Sequence, residues 1–562
     1  MADGSPTVLV LGAGINGCAI ARELALNDVN VWVVDTADIA SGATSGSSRL
    51  IHGGLRYLEY REFDLVKESL GERTRLLRLA PQFVRPLRLW IPAANRFGGW
   101  FPAIGKFLRL DWWPQSQEPR GSALVRAGLM FYDAYAQDES LPSYQCGRID
   151  MDGSPAFDAE RYRRACAYYD GQVEFPERLL LSMLKDAGDV AHRRGLEFRV
   201  LTHHAARRAG DLVTIVPLAA ESPGEIVSNE RFELRPNLIV NATGAWVDEA
   251  LEKLQVPSDR LMGGTKGSHL FTFSARLKEQ LKGEQGVYAE ASDGRPIFIT
   301  PLGETVLIGT TDVKFEGPPE SAHATDEEIQ YLIDSTNEIL PGAKLERGDI
   351  TFHYSAVRPL PYVDAKSTAA ITRRHSFVEH TAAGVPVISI VGGKLTTMRS
   401  LAEQAAGDVL EHFGRKDTAH SRERLFPGAE HYPTSPRDLA AEQRAIARRT
   451  GFSQASVACC WALYGTACEP ILAAATTREV IADTELPVEV VRWMITREQA
   501  SNLADLVERR AMLLYQERLT RGCLEHLARV LADAGRLQPQ AVSAAVDAEV
   551  ARLLARYGRV VR

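Results

Sequence analysis

Val8-Leu9-Val10-Leu11-Gly12-Ala13-Gly14-Ile15-Asn16-Gly17-Cys18 is the stretch whose reading decides the fold. An apolar run stops at a glycine cluster, and an alanine-rich stretch from Cys18 to Leu26 follows at once. A strand that turns tightly into a helix is the setting in which Gly-x-Gly-x-x-Gly binds a dinucleotide. Gly12 permits the turn, Gly14 lets backbone approach a pyrophosphate, and Gly17 lets the helix pack close on the strand. The helix start then offers N–H groups and the positive end of its dipole to phosphate charge. Val31-Trp32-Val33-Val34 reads as the next buried strand, and it ends at Asp35, placed to hold a ribose hydroxyl and to disfavour a 2′-phosphate.

Working outward, the chain enters Ser41-Gly42-Ala43-Thr44-Ser45-Gly46-Ser47-Ser48-Arg49 and then Leu50-Ile51-His52-Gly53-Gly54-Leu55-Arg56-Tyr57. Small hydroxyl-bearing and glycine residues approach a planar ring and a pyrophosphate without steric conflict. Much later, Leu238-Ile239-Val240 reads as a short buried strand ending at Asn241-Ala242-Thr243-Gly244. Small residues at the carboxyl end of a strand suit the crevice where α/β sheets bind ligands. A third piece, Gly392-Gly393-Lys394-Leu395, adds a cation beside a glycine pair. The three pieces would each fit a different part of one FAD molecule, although the glycine turn alone does not separate FAD from NAD. The expected cofactor contacts are Gly12, Gly14, Asn16, Gly17 and Asp35 from the first piece, with Thr44, Ser45, Ser47, Ser48 and Gly53 after it. Ala242, Thr243 and Gly244 join from the second, and Gly392, Gly393, Lys394 and Leu395 from the third.

The assembled set resembles the FAD-dependent glycerol-3-phosphate dehydrogenase family of the aerobic, quinone-linked type. GAGINGCAIARELA, SSRLIHGGLRYLEYREFDLVKESLGER, LIVNATGAWV, KGSHL, VLIGTTDV, YSAVRPL and VGGKLTTMRSLAE run in the family's order, and LADLVERR is similar to its C-terminal region. HGGLRYLE and GGKLTT are far more specific than the nucleotide turn. The resemblance implies an α/β FAD-binding Rossmann-like domain of the glutathione-reductase/D-amino-acid-oxidase type. An α+β antiparallel-sheet substrate domain and an all-α C-terminal domain would complete the chain. The motifs divide it into a discontinuous FAD-binding domain at about 1–80, 155–260 and 350–415, a substrate-binding domain at about 81–154 and 261–349, and a helical domain at 425–562. Phe298-Ile299-Thr300-Pro301 and Val306-Leu307-Ile308 read as a hairpin of the middle domain.

Glycerol 3-phosphate carries a phosphate dianion and a secondary alcohol, so its enzyme needs cations, a base and a hydride acceptor. Arg56, Arg358 and Lys394 offer the cations, the arginines as planar forks and the lysine as a point charge. Tyr57 and His269 join the expected phosphate-facing set, with Thr310 and Asp312 as further substrate contacts suggested by the family analogy. Histidine is best matched to taking the hydroxyl proton near neutral pH. The catalytic candidates are His52, His269 and Lys394. His52 is favoured as base because the resemblance puts it near the isoalloxazine, and His269 is the alternative. The expected product is dihydroxyacetone phosphate, and the expected electron acceptor is a quinone. An oxidase that uses dioxygen is the nearest rival, and an amine or amino-acid oxidase is a more distant one.

A net charge of −7 gives no overall attraction to nucleic acid or anionic membrane. Seven cysteines without Cys-x-x-Cys spacing read as unpaired thiols in a reducing compartment, with no metal site. The first residues lack a signal-peptide pattern, and no run of about 18 apolar residues is apparent, so a cytoplasmic chain is expected. Residues 97–113 concentrate Trp and Phe among Arg and Lys, the composition of an interfacial anchor or of a hydrophobic insertion packed onto the substrate domain. Because a quinone lives in the bilayer, this segment is expected to attach the protein peripherally to the inner face of the cytoplasmic membrane. Val542, Val546, Val550 and Leu554 suggest an apolar helical stripe. It would serve a cap or a homodimer surface.

Overall fold

The computed structural model describes residues 4–60, 62–94, 122–136, 138, 140–363, 374–381 and 384–562. Thr7–Leu11 pairs in parallel with Asn30–Val34 on one side and Leu238–Asn241 on the other. Phe198–Leu201 extends the sheet beyond Asn30–Val34, and the hairpin Ser376–His380 and Val387–Val391 closes the opposite edge. Both faces of the inner strands Thr7–Leu11, Asn30–Val34, Leu238–Asn241 and Val387–Val391 are covered, so these are almost wholly apolar, whereas the edge strands carry Arg199 and Glu379. Val8, Val10, Val31 and Val33 face the helices Ile15–Leu26, Pro176–Arg194 and Met398–His412. Leu9, Leu11, Trp32 and Val34 face an antiparallel meander of His204–Ala209, Leu212–Pro217 and Phe232–Leu234. The alternation is the two-residue period of a strand.

A second, largely antiparallel sheet has ten strands among the described residues. Its centre is Met262–Thr272, paired with Ile350–Pro361 over almost its whole length and with Thr305–Gly309 on the other side. The expected hairpin is present as Pro296–Leu302 and Thr305–Gly309. The expected division of the chain differs from this pairing. Leu50–Ile51, Arg164–Val173 and Ile350–Pro361, assigned by motif position to the cofactor-binding part, hydrogen-bond into the second sheet. The ladder partners of Ile350–Pro361 lie about 90 residues upstream, beyond the reach of a local pattern.

From Pro436–Thr450 to Val542–Tyr557 the chain is helical and packs on the second sheet. Phe271 and Phe352 stack at 4.2 Å, and both meet Tyr515 edge-on within one apolar cluster. The stripe expected on the last helix is corrected: Val546 is buried but Leu554 is 55% exposed. Steps of four residues drift about 40° each around an α-helix, so Leu554 has turned about 120° from Val542. Val546, Glu549, Leu553 and Tyr557 form the buried line instead. Gln454–Ala473 corrects a second expectation, because it is long and apolar enough to cross a membrane by length and composition alone. A 3₁₀ turn at Gly465–Ala467 interrupts it, and Val457, Cys460, Trp461, Cys468 and Leu472 sit in the helical core. The cysteine reading is also corrected. Cys146 and Cys166 form a disulfide, because they lie directly opposite each other on paired antiparallel strands.

Candidate functional site

A cavity of about 1340 Å³ is lined by both sheets and by the helical unit. At one end sits the glycine turn. Gly12 has φ +99°, and a Cβ there would meet the Ala242 carbonyl oxygen at 2.6 Å, so the first and second motifs touch through backbone. A Cβ on Gly17 would fall 1.9 Å from the Gly12 oxygen, which enforces the close helix–strand approach. Gly14 differs, since a Cβ there would meet only Thr44 Oγ1, at 3.7 Å. The protein's own packing does not demand that glycine. Thr44 Oγ1 accepts the Ile15 N–H at 3.1 Å, tying the Ser/Gly loop to the helix start.

Asp35 lines the cavity, and its carboxylate is itself held. Its Oδ2 accepts the Ala13 N–H at 2.6 Å and its Oδ1 the Ala37 N–H at 2.8 Å. Burial raises its pKa to about 6 against the opposing pull of those two donors. Asn16 donates to the Gly392 carbonyl at 3.3 Å, and its buried Oδ1 has no hydrogen-bond partner among the described residues.

At the other end, strand alternation puts Thr265, Gly267 and His269 on one face, opposite Arg358, Ala356 and Tyr354. Two glycines make room for the site side chains. A Cβ on Gly309 would lie 2.3 Å from the His269 ring, and one on Gly267 would lie 2.3 Å from Arg358 Nη2. His269 Nε2 shares a 2.8 Å hydrogen bond with Ser48 Oγ, while its buried Nδ1 has no partner among the described residues. Burial, then Arg358 and Arg49, lower its pKa to about 3. Arg358 donates from Nη1 to Asp312 at 3.0 Å and Thr265 at 3.3 Å, and from Nη2 to Thr310 at 2.9 Å and the Thr311 carbonyl at 3.1 Å.

His52 is anchored through its backbone, its N–H donating to Thr396 Oγ1 at 3.1 Å. Its ring meets Phe298 edge-on, with 6.2 Å between centroids, and faces the cavity. Burial, then the Lys394 charge, lower its pKa to about 4, so the imidazole is neutral at physiological pH. Lys394 Nζ lies 4.0 Å above the Tyr57 ring and 3.3 Å from Ser69 Oγ. Tyr57 reaches that position because the turn at Gly54, φ +73°, folds the ring back over the glycine.

Most of the residues expected from sequence line this one cavity: Ser45, Ser47, Thr243, Gly244, Gly393 and Leu395 join those already placed. Gly17, Gly53 and Gly392 do not. Gly53 packs on Leu70 and Tyr132, and Gly392 takes φ +83° against the Arg374 carbonyl, so both shape the backbone behind the cavity. Arg56 belongs to the 3₁₀ turn Leu55–Tyr60, and its side chain lies outside the described residues.

Sequence reasoning missed Arg49, Tyr354 and the contribution of the helical unit. Arg49 is fully buried with φ +57°, pairs with Glu177 at 2.7 Å, donates to the Ser45 carbonyl at 3.3 Å, and lies 4.4 Å from the Tyr515 ring centre. Tyr354 donates to the Ser47 carbonyl at 2.6 Å. These contacts join the Ser/Gly loop to the second sheet and the helices. Glu508, Arg509, Tyr515, Arg556 and Tyr557 also line the cavity. Only Glu508 and Arg509 had a signal in the sequence, the similarity of LADLVERR to a family stretch, which carries no role; Tyr515, Arg556 and Tyr557 had none.

Residues 7–399 match the model of the FAD dependent oxidoreductase family. A glycerol-3-phosphate dehydrogenase of Synechocystis is 34% identical over 526 residues, 90% of this chain and 88% of its own. The aerobic glycerol-3-phosphate dehydrogenase of Escherichia coli is 32% identical over 424 residues, 75% of this chain and 76% of its own. A D-erythritol 1-phosphate dehydrogenase of Brucella abortus is 30% identical over 535 residues, 90% of this chain and 93% of its own. The crystal structure of a Bacillus halodurans glycerol-3-phosphate dehydrogenase with FAD matches at TM-score 0.72 and 21% identity, covering 99% of this chain and 96% of that one. That likeness is one of fold.

Proposed function

The chain belongs to the family of FAD-dependent glycerol-3-phosphate dehydrogenases, and from that premise we propose that it oxidises sn-glycerol 3-phosphate to dihydroxyacetone phosphate. The observation that carries the reading is one cavity with a dinucleotide turn at one end and His52, His269, Arg358 and Lys394 at the other. The residues present fit FAD. Gly14 keeps backbone open toward the cavity, and Asn16 Oδ1 is a buried acceptor without a donor among the described residues. Gly12, Gly14, Asn16, Thr44, Ser45 and Gly393 would hold its phosphates, with Asp35 at a ribose. When bound, FAD supplies the hydride acceptor for carbon 2 of the substrate.

The chain's own residues do the rest. Lys394 and Arg358, with Arg56 as a third cation, bind the phosphate, and Tyr57 fixes the position of the Lys394 ammonium. Arg358 is braced by Asp312, Thr310 and Thr265, so its fork arrives oriented. His52 accepts the hydroxyl proton: its imidazole is held neutral, and among the described residues its ring nitrogens make no hydrogen bond to protein. His269 contacts substrate while Ser48 holds its Nε2.

A membrane quinone is the electron acceptor in this reading, with peripheral contact at the inner face of the cytoplasmic membrane. Residues 97–113, the expected anchor, lie outside the described residues. Met130 and Phe131, on the helix Ser122–Ala136 that follows in the sequence, are exposed. Unchanged liposome co-sedimentation after deletion of 97–113 would remove the anchor from the account. The relative from Brucella favours a second reading for the substrate, a four-carbon polyol phosphate. Assays with glycerol 3-phosphate and D-erythritol 1-phosphate, each with a soluble quinone or dioxygen, test both points. Quinone reduction by glycerol 3-phosphate, with little peroxide, is expected. Equal peroxide formation would make the protein an oxidase, and preference for the erythritol ester would move the substrate class.

A further inference from the structure

The turn after Asn30–Val34 is fastened to the far end of the chain. Asp38 accepts from both Nη atoms of Arg510 at 2.8 Å and from Nε of Arg509 at 2.7 Å. Asp38 and Arg510 are 1% and 0% exposed, so these charges sit wholly out of water. Burial alone would raise the Asp38 carboxyl, but Arg510 and Arg509 hold it well below the usual carboxylate range. A second tie runs alongside. His203 donates its backbone N–H to the Ala37 carbonyl at 3.2 Å, and its ring Nε2 lies 3.2 Å from Asp505 Oδ2.

The element that carries these partners, Asp505–Arg510, is a π-helix. Such turns are rare, and they concentrate at functional sites. Glu508 and Arg509 line the same cavity as Asp35, Thr36 and Ala37. A buried ion pair is weak support for stability, because well-packed apolar residues often serve as well. Fixing one position is a better-attested use for such a pair. Here the position fixed is the cofactor-facing turn.

We propose that Asp38, Arg509 and Arg510 are positioning residues for the cofactor, so that the C-terminal helical unit completes the site for the adenosine half of the dinucleotide. The inference rests on the FAD reading above. Arg509 Nε and Arg510 set the Asp38 carboxylate, Asp38 sets the turn, and the turn presents Asp35 and Ala37 to the cavity. Loss of either arginine would leave Asp38 short of a partner and the turn free to shift.

The test measures the FAD dissociation constant by recovery of flavin fluorescence on dilution of holoenzyme, for wild type, Arg510→Met and Asp38→Asn. Thermal midpoints of the FAD-free forms are recorded beside it. Weakening of FAD binding by about tenfold or more in the variants is expected, a difference worth one well-placed contact. A variant with a lowered midpoint but native FAD affinity would overturn the proposal, since the pair would then be structural only. Hydrogen exchange on the wild type needs no variant: FAD should slow exchange in peptides covering 503–515 as well as 35–41. No change at 503–515 would equally overturn it. A wild type that retains no FAD would sink the cofactor reading itself, a result distinct from either.

Discussion

His52 and His269 face one cavity but are held by different means, and the proposed roles rest on that difference. Ser48 occupies Nε2 of His269, whereas the His52 ring has no protein hydrogen bond among the described residues. His52→Ala should slow flavin reduction by about 10²–10⁴-fold with FAD retained, as expected for loss of a general base. Stopped-flow reduction at the native rate would remove His52 from that role. The pKa values add a pH dependence. The unfolded chain binds these protons near 6.5 and the folded one only near about 4 and about 3. Between those values the unfolded state holds more protons, so folding stability is complete above 6.5 and is lost as pH falls from there through the folded values. Thermal midpoints at pH 7 and pH 5 should therefore differ, and by less in a His52→Ala/His269→Ala variant; an undiminished difference would place its origin in other groups. Both histidines were legible because glycine-rich motifs surround them, at His52-Gly53-Gly54 and Lys266-Gly267-Ser268-His269. Ser48 as the partner of His269 was not, since the two lie 221 residues apart.

The strand Met262–Thr272 has two faces with two tasks, one toward the cavity through His269 and one behind it through Lys266 and Ser268. Glu328 accepts from Lys266 at 2.7 Å, Ser268 at 3.0 Å and Thr311 at 2.8 Å, and Thr311 in turn accepts Arg358 through its carbonyl. Glu328→Gln leaves the buried Lys266 ammonium its hydrogen bond to the His323 carbonyl but no counter-charge, a loss of about 3 kcal/mol in urea unfolding, in the range for a broken buried pair. A change within about 0.5 kcal/mol, typical of a surface substitution, would contradict the burial read here. Gly309→Ala should raise KM and lower kcat together, because its methyl group would occupy the space of the His269 ring; unaltered kinetics would mean that the ring moves without consequence. The hairpin ending at Gly309 was readable from two short runs, Phe298-Ile299-Thr300-Pro301 and Val306-Leu307-Ile308, separated by the turn Leu302-Gly303-Glu304-Thr305. The pairing of Ile350–Pro361 was not, and neither was the buried line of the last helix, where a four-residue repeat imitates a stripe while it drifts around the cylinder.

At the scale of the whole molecule, remote segments converge on one cavity. The glycine turn, the mid-chain Asn241-Ala242-Thr243-Gly244 and the late Gly393-Lys394 were each legible, because close backbone approach restricts residue choice and leaves a visible pattern. The tie from Asp38 to Arg510 spans 472 residues and uses residue types common on any surface, so no local pattern announces it. The cysteine pair was hidden for the same reason, since strand register alone brings Cys146 opposite Cys166. In the proposed reaction, cations and a neutral histidine grip a phosphorylated polyol beside the flavin. Anaerobic addition of glycerol 3-phosphate to the holoenzyme, compared with glycerol at the same concentration, tests it most directly. Bleaching of the flavin absorbance by the phosphate ester, and none by glycerol on that timescale, is the predicted result. Equal bleaching by both would contradict the account, because Arg358 and Lys394 would then have no part in choosing the substrate.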